Sequence, residues 1–147
     1  MNMKRLVMAC VAVFLFVFVC DYILHGVILK NAYIQTAQLW RTEAEMKQMF
    51  GWLLLGQLVA AVMMCVIYAN RRTRESCAGQ GSAYGLFVGL LFCSPTLITY
   101  AVQPIPAGII GTWIVGDLIK FVLAGAILGA VYQPVTATVP GGETVAA

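Results

Sequence analysis

Four long apolar runs, separated by short polar segments, dominate the hydrophobic pattern of this 147-residue chain. Each run has about the 20 residues that a helix needs to cross the hydrocarbon core of a bilayer. A segment is stable there only when its backbone groups bond to one another, so the runs predict helices. We therefore expect an all-α protein, a polytopic integral membrane four-helix bundle with short loops, with spans at about residues 6–29, 49–69, 83–103 and 109–132.

The four spans form a single transmembrane domain over residues 1–133. A basic pair, Lys4 and Arg5, precedes the first run, as it would in a secretory signal. The run is longer than the apolar region of a signal, about 7 to 15 residues, and no small-residue cleavage pattern follows it, so we expect a retained helix. Residues 134–147 are rich in Thr, Val, Pro and Gly without periodicity, which predicts a mobile tail.

The basic residues near the ends of the runs give a modest orientation signal. Lys4, Arg5, Arg71, Arg72 and Arg74 lie on one side of the predicted membrane, and Lys30, Arg41 and Lys47 lie on the other. The side with more basic residues is expected to be cytoplasmic, which makes both termini cytoplasmic in a multi-pass protein of the cell inner (plasma) membrane. All three tryptophans then fall at the outer interface, where indole rings act as anchors: Trp40, Trp52 and Trp113.

The polar connections carry local signals of their own. Thr42 with Glu45 three residues later is a capping-box pattern, which predicts that the second helix begins near Glu43, outside the hydrocarbon. The preceding segment, 30–40, which contains Tyr33, Ile34, Leu39 and Trp40, either lies in the interface or is a plain tether. The segment 103–108 contains two prolines, which disfavour helical geometry in the residues before them, so we expect a tight turn.

Glycines recur at steps of four in the third and fourth predicted helices. Such stripes allow two helix backbones to approach closely in a membrane. They predict helix packing, either inside one bundle or between two copies of the chain. The stripes consist of Gly81, Gly85 and Gly89 in the third helix and of Gly125 and Gly129 in the fourth. Pro95, mid-span in the third helix, removes one backbone hydrogen bond and predicts a kink.

Four ionisable residues lie within the apolar runs, where a charge costs a few kcal/mol or more. Asp21 and His25 are i,i+4 in the first run, and Asp117 and Lys120 are i,i+3 in the last, so each pair shares a helix face. At about 1.5 Å per residue, Asp21 and Asp117 reach a similar depth in the outer half of the membrane. We predict one polar layer to which all four helices contribute, with Gln57 and Thr96 at the same depth, Lys120 just below, and His25 and Tyr100 above.

Three interpretations of this intramembrane polar or ion site are open. In the first, a carboxylate and Lys120 form an ion pair that only lets the helices assemble. In the second, a carboxylate binds a proton or cation, with His25 as a relay toward the outer surface. In the third, Lys120 and His25 extend toward the interface and have no specific role.

Composition and cysteine spacing argue against several other classes. The chain is 61% hydrophobic and 10% charged, and its net charge of +3 comes mostly from short basic clusters, so no soluble face is available for nucleic acid. The five cysteines include no Cys-x-x-Cys pair, and a single histidine cannot provide bis-histidine haem ligation. We predict no cofactor, no metal site and no catalytic residues. Cys77, near three arginines, is the cysteine that we expect to be reactive or lipidated.

Two patterns carry a resemblance to small bacterial four-helix integral membrane proteins of unknown function. One is the small-residue last helix, which contains Gly116-Asp117-Leu118 and then Ala126-Ile127-Leu128-Gly129, and the other is a polar residue late in the first helix. Proteins of that group carry an Asp near the start of the last helix, as here, and often a Trp where this chain has Asp21. The resemblance implies a four-helix fold and a bacterial inner membrane, and it implies no activity.

The sequence favours a non-enzymatic membrane component that acts by association, as a homo-oligomer or as an accessory subunit of a membrane assembly. Its expected partners are the lipid bilayer and either a second copy or a larger membrane complex, with no nucleic acid. The alternative is a small proton- or cation-coupled transporter that uses Asp21 and Asp117, as an oligomer because four helices enclose little volume. An intramembrane enzyme is the third hypothesis.

Overall fold

The computed structural model describes residues 3–71, 77–132, 136–138 and 144–146. The first helix continues into a π-helical stretch, and three further long helices follow a short structured loop. The helical elements are α1 (Met3–Asp21), the π-helical stretch (Tyr22–Ile28), α2 (Lys30–Gln35), a 3₁₀ turn (Ala37–Leu39), α3 (Glu43–Asn70), α4 (Ala78–Val102) and α5 (Ala107–Val131). Near the C-terminus, β1 (Thr136–Thr138) pairs antiparallel with β2 (Thr144–Ala146).

Four helical segments are long and apolar enough to cross a membrane, which confirms the predicted helical class. They are Met3–Ile28, Glu43–Asn70, Ala78–Val102 and Ala107–Val131. All four begin earlier than the predicted apolar runs, because small and polar residues continue each helix beyond the run. The predicted mobile tail falls largely outside the described residues, apart from β1 and β2, as do Arg72 and Arg74 of the basic cluster.

The start of α3 is fixed by a capping box, as the sequence predicts. The Thr42 hydroxyl accepts a hydrogen bond from the backbone N–H of Glu45, and the Glu45 carboxylate accepts one from the backbone N–H of Thr42 at 2.9 Å. Each bond satisfies a donor that the first turn of a helix leaves without a partner. A cap of this kind stabilises a helix by about 1 kcal/mol, and α3 accordingly begins at Glu43.

The connection between α4 and α5 is the predicted tight turn, since α4 ends at Val102 and α5 begins at Ala107. We call this end of the molecule the loop end; it also carries α2 and the 3₁₀ turn. A small hydrophobic core closes it, formed by Leu24, Leu29, Ile105, Ile109 and Ile110. Leu29 donates its backbone N–H to the carbonyl of Leu24, five residues earlier, at 2.9 Å, which is the bond that defines a π-helix.

The glycine stripes of α4 and α5 pack against each other within the chain. A Cβ on Gly81 would overlap the carbonyl group of Gly125, and a Cβ on Gly85 would overlap that of Phe121. Because no larger residue fits between these backbones, the glycines permit the close approach of α4 and α5. This arrangement corresponds to packing inside one bundle, and it leaves neither stripe exposed to form a homodimer.

The main hydrophobic core fills the half of the bundle away from the loop end. It is built from α1, α3 and α5, with members that include Val13, Val17, Ala61, Cys65, Ala124 and Leu128. Helix α3 joins this core only from Ala61 onward. Its loop-end half, 43–60, is exposed apart from three half-buried residues, Leu54, Gln57 and Ala60.

Candidate functional site: a charged centre within the bundle

A three-residue charged centre lies between the two hydrophobic cores. The Lys120 ammonium donates to the Asp21 carboxylate, with Nζ 2.6 Å from Oδ1, and to the Asp117 carboxylate, with Nζ 2.7 Å from Oδ1. Asp21 is the last residue of α1, and the other two residues share one face of α5 at i,i+3 spacing. Lys120 is only 8% exposed. A single ammonium therefore bridges two carboxylates that come from different helices.

Gln57 of α3 extends the centre to a third helix. Its side-chain Nε2 donates to the second oxygen of Asp21, Oδ2, at 2.5 Å. The other end of the amide, Oε1, is buried and has no hydrogen-bond partner within the part of the chain that the structure describes. A buried acceptor without a donor costs about 1–3 kcal/mol, so the centre has one unsatisfied acceptor beside a carboxyl group.

Charge within this centre is not balanced. Two carboxylates face one ammonium, which leaves one negative charge in excess when both acids are ionised. A buried ion pair is tolerated only when its charges compensate, and an uncompensated charge in hydrocarbon costs several kcal/mol. A group of this composition favours the uptake of one additional positive charge.

Tight packing between α1 and α5 brings the centre together. Gly116 precedes Asp117, and a Cβ at this position would lie 2.7 Å from Cδ2 of Leu24. Leu24 follows Asp21 by three residues, so the glycine lets the chain after α1 lie close to α5 at the level of the charges. On the other side, the Lys120 ammonium lies 5.1 Å from the ring centre of the buried Phe121, a cation–π distance.

A second polar group, which we call the aromatic cap, lies at the loop end and consists of His25, Tyr33, Trp40 and Trp113. The Trp113 indole donates to the Tyr33 hydroxyl oxygen at 2.8 Å, and that oxygen lies 2.6 Å from Nδ1 of His25. Because an indole N–H only donates, Tyr33 accepts from Trp113 and keeps its own proton available for Nδ1 of His25 in the tautomer that carries the ring proton on Nε2. Burial raises the pKa of the Tyr33 hydroxyl, so it keeps the proton that makes this bond.

The aromatic cap also orders segment 30–40. Trp40 packs edge-on against Tyr33, with ring centres 5.1 Å apart, and its indole donates to the Thr36 hydroxyl at 2.8 Å. Trp40 and Trp113 rings are 6.0 Å apart. The segment is thus ordered and anchored on α5 rather than a plain tether. Trp52 is not part of the cap; it lies on α3 and is 71% exposed.

The structure brings together four of the seven residues predicted for the polar layer and separates the other three from it. Asp21, Gln57, Asp117 and Lys120 meet directly, whereas His25 bonds to Tyr33 instead. Thr96 was expected in the layer, but its hydroxyl donates to the Phe92 carbonyl of its own helix at 3.2 Å. Tyr100 is 44% exposed on α4. The hydroxyl of Thr96 thus makes its hydrogen bond within α4 rather than with Asp21, Asp117 or Lys120.

Two residues near the site were missed by the sequence analysis. Cys93 on α4 lies near enough to Asp117 for the two to interact electrostatically. Tyr33 on the short helix α2 belongs to the aromatic cap. No periodic hydrophobic pattern in the sequence predicts its position there. Elsewhere, the thiols of Cys10 on α1 and Cys65 on α3 lie near enough to interact. Cys77 is exposed just before α4.

Within the described ranges, no group of three or more His, Cys, Asp or Glu residues is arranged to hold a metal ion. Comparison with protein-family models, with curated proteins and with solved structures finds no match to this chain. The candidate functional site is therefore the centre formed by Asp21, Gln57, Asp117 and Lys120.

Proposed function

We propose that this protein is a membrane protein that binds and releases one proton at the charged centre, and so acts as a small proton-coupled transporter or proton pathway. The observation that carries the proposal is the sharing of one ammonium, that of Lys120, by the two carboxylates of Asp21 and Asp117. Neutrality of the centre requires one further positive charge, and a proton supplies it by forming an O–H bond on a carboxyl oxygen.

Geometry favours a proton over a metal cation at this position. Nζ of Lys120 lies within 2.7 Å of both carboxylates, so the ammonium already occupies the space between them. A Na⁺ or K⁺ ion would have to displace the ammonium and collect several oxygen ligands. A proton adds no volume, and it leaves the contact between Lys120 and Asp117 on α5 in place.

Proton binding here would act on the arrangement of the helices. The centre links α1, α3 and α5 through side-chain hydrogen bonds, and a change of charge on either carboxyl alters the strength of those links. A protonation-dependent equilibrium between two helix arrangements is the minimum that coupled transport requires. His25, a member of the aromatic cap, lies one helical turn beyond Asp21. It is the next titratable group between the charged centre and the loop end.

The proposal includes a cellular setting that rests on the sequence. The bias of basic residues favours cytoplasmic termini, with the loop end on the outer side of a bacterial inner membrane. In this setting the charged centre lies in the outer half of the membrane, and protons reach it from outside through the region of His25.

Reconstitution into liposomes tests the proposal. The full chain is incorporated with a pH-sensitive dye inside, and proton entry is followed after a pH gradient is imposed. We expect flux above that of empty liposomes, and a loss of at least about tenfold in Asp21→Asn and Asp117→Asn. Glu43→Gln, an exposed acid at the start of α3, is the matched control and should retain the flux. Equal flux in all four proteins, or none above empty liposomes, would contradict the proposal.

A second function, association with another copy or with a membrane complex, is favoured by a different observation. The loop-end half of α3 packs on nothing else in the described chain except through Leu54, Gln57 and Ala60. Gly51 and Gly56 on this half have no atom within 4 Å of an added Cβ, which leaves room for the close approach of a second helix.

Light scattering in mild detergent tests association. If α3 forms an interface, the wild-type particle has a multiple of the 15.9 kDa chain mass and Gly56→Leu reduces it. Gly79→Leu, at an open position on α4, is the control that should not change the mass. A wild-type particle of single-chain mass at native expression level, with nothing co-purified, would contradict association.

A further inference from the structure

We propose that Asp21, rather than Asp117, is the carboxyl group that takes up the proton, and that Gln57 is the positioning residue that selects it. This inference rests on the proposed proton-binding function and assigns the proton to the carboxyl group of one residue. The step is a proton transfer alone: water supplies the proton, an O–H bond forms on Asp21, and no electron transfer or other bond change accompanies it.

The amide of Gln57 has a hydrogen-bond pattern that a protonated Asp21 can complete and an ionised Asp21 cannot. Nε2 donates to Asp21 Oδ2, while Oε1 beside it is a buried acceptor without a donor. An ionised carboxylate has no proton to give to this oxygen. A carboxylic acid does: one of its oxygens donates O–H to Oε1 while the other accepts N–H from Nε2. A small rotation of the amide gives this paired arrangement and satisfies the orphaned acceptor.

Asp117 has no corresponding partner in the described chain. Its recorded hydrogen bond is the one it accepts from Lys120 on the same helix, at 2.7 Å. Its α4 neighbour is the Cys93 thiol, which is a weak donor and a weak acceptor. When the proton binds Asp21, the ion pair between Lys120 and Asp117 stays intact and neutral, and the acid–amide pair beside it is neutral too.

The groups that face Asp21 come from each neighbouring element. Helix α5 contributes both charged residues, Lys120 and Asp117, and α3 contributes the uncharged Gln57. On its own chain segment, Cys20 precedes Asp21, and His25 lies near enough to interact with it electrostatically. In the described chain, Gln57 has a fully buried acceptor left without a donor, which is why selection between the two carboxyls falls to it.

Infrared difference spectroscopy of the full chain in liposomes tests the inference. The carboxylic C=O stretch of a protonated acid is recorded between low and high pH for the wild type and for Asp21→Asn, Asp117→Asn and Gln57→Met. We expect one titrating carboxylic band in the wild type and its loss in Asp21→Asn. In Asp117→Asn, where one carboxylate faces one ammonium, the band should be retained but should appear only in more acidic solution. In Gln57→Met the band should move to the higher frequency of a weakly hydrogen-bonded acid.

Control variants and the proton-flux assay distinguish a failure of this inference from a failure of the proposed function. Gln48→Met, an exposed amide on α3, should leave the band unchanged. Loss of the band in Asp117→Asn with retention in Asp21→Asn would overturn the inference and leave proton binding at the centre standing. An unchanged band in Gln57→Met would overturn the role of Gln57. Absence of any titrating band, together with absent flux, would overturn the proposed function itself.

Discussion

Lys120 lies 2.6 Å from Asp21, a residue 99 positions earlier in the chain, and this contact ties the first long helix to the last. The same ammonium is held by Asp117 of its own helix, so the ion pair is shared between a local partner and a distant one. Because the ammonium is shared, removing the lysine and removing one acid should change the free energy of unfolding by different amounts. This difference can be measured.

Replacing Lys120 should be far more damaging than replacing either acid. Lys120→Met leaves two carboxylates facing each other in the bundle, which should destabilise it by about 3–5 kcal/mol. Asp117→Asn leaves the pair between Lys120 and Asp21 intact and should change stability by less than about 1 kcal/mol. Thermal unfolding in mild detergent gives both values. The triple variant, with both acids changed to Asn as well, should recover most of the loss; if it does not, the charges are not the cause.

Alanine at the facing glycines should weaken the pairing of α4 with α5. Gly85→Ala and Gly125→Ala place a methyl group against the opposite backbone, and overpacking of this kind costs about 1–3 kcal/mol. Gly56→Ala is the control: its Cβ meets nothing, and alanine in an open helix interior should gain about 0.5–1 kcal/mol. The same unfolding measurement compares them. Equal effects at all three positions would contradict the close pairing of α4 and α5.

The contact between Gly116 and Leu24 predicts a compensating pair of substitutions. Gly116→Ala should push Leu24 away from α5 and, with it, loosen the contact between Asp21 and Lys120, which lowers both stability and proton flux. Leu24→Ala removes the atoms that the new methyl group meets. The double variant should therefore regain flux that Gly116→Ala loses. A double variant no better than the worse single variant would show that the contact does not control the charged centre.

The hydroxyl of Tyr33 should hold the aromatic cap on α5. Tyr33→Phe removes the oxygen that joins His25 to Trp113, which should cost about 1–2 kcal/mol and shift tryptophan fluorescence toward that of exposed indole. Tyr22→Phe, at an exposed tyrosine, is the matched control. An unchanged spectrum in Tyr33→Phe would mean that the cap is held by ring packing alone.

The raised pKa of Tyr33 gives this contribution a pH dependence of known sign. The folded protein favours the neutral hydroxyl, so the stabilisation is complete below the ordinary tyrosine pKa of about 10 and is lost as pH rises through the higher folded value. The difference in stability between wild type and Tyr33→Phe should therefore shrink in strongly alkaline solution. A difference that grows with pH would contradict the direction of the shift.

Sequence patterns predicted the helices and the shared level along them at which Asp21, Asp117 and Lys120 meet, because both follow from hydrophobicity and a fixed rise per residue. Depth does not give rotation about the helix axis. Gln57 and Thr96 were predicted at one depth; Gln57 reaches Asp21, whereas the hydroxyl of Thr96 bonds to the carbonyl of Phe92. The role of Tyr33 depends on how the loop folds back onto α5, which depends on tertiary contacts that no periodic pattern encodes.

The π-helical stretch after Asp21 has a consequence for how this chain tolerates changes in length. Leu24 and Leu29 are both buried although five residues in an α-helix would place them about 140° apart around the axis. The wider turn thus accommodates one residue more than an α-helix would. Deleting an exposed residue such as Val27 would restore ordinary helical spacing between the two leucines and leave α2 and its aromatic residues packed on α5. A deletion of equal length on the α1 side of Asp21 would instead displace the carboxylate itself. Deletions before and after Asp21 should therefore have different effects on the charged centre.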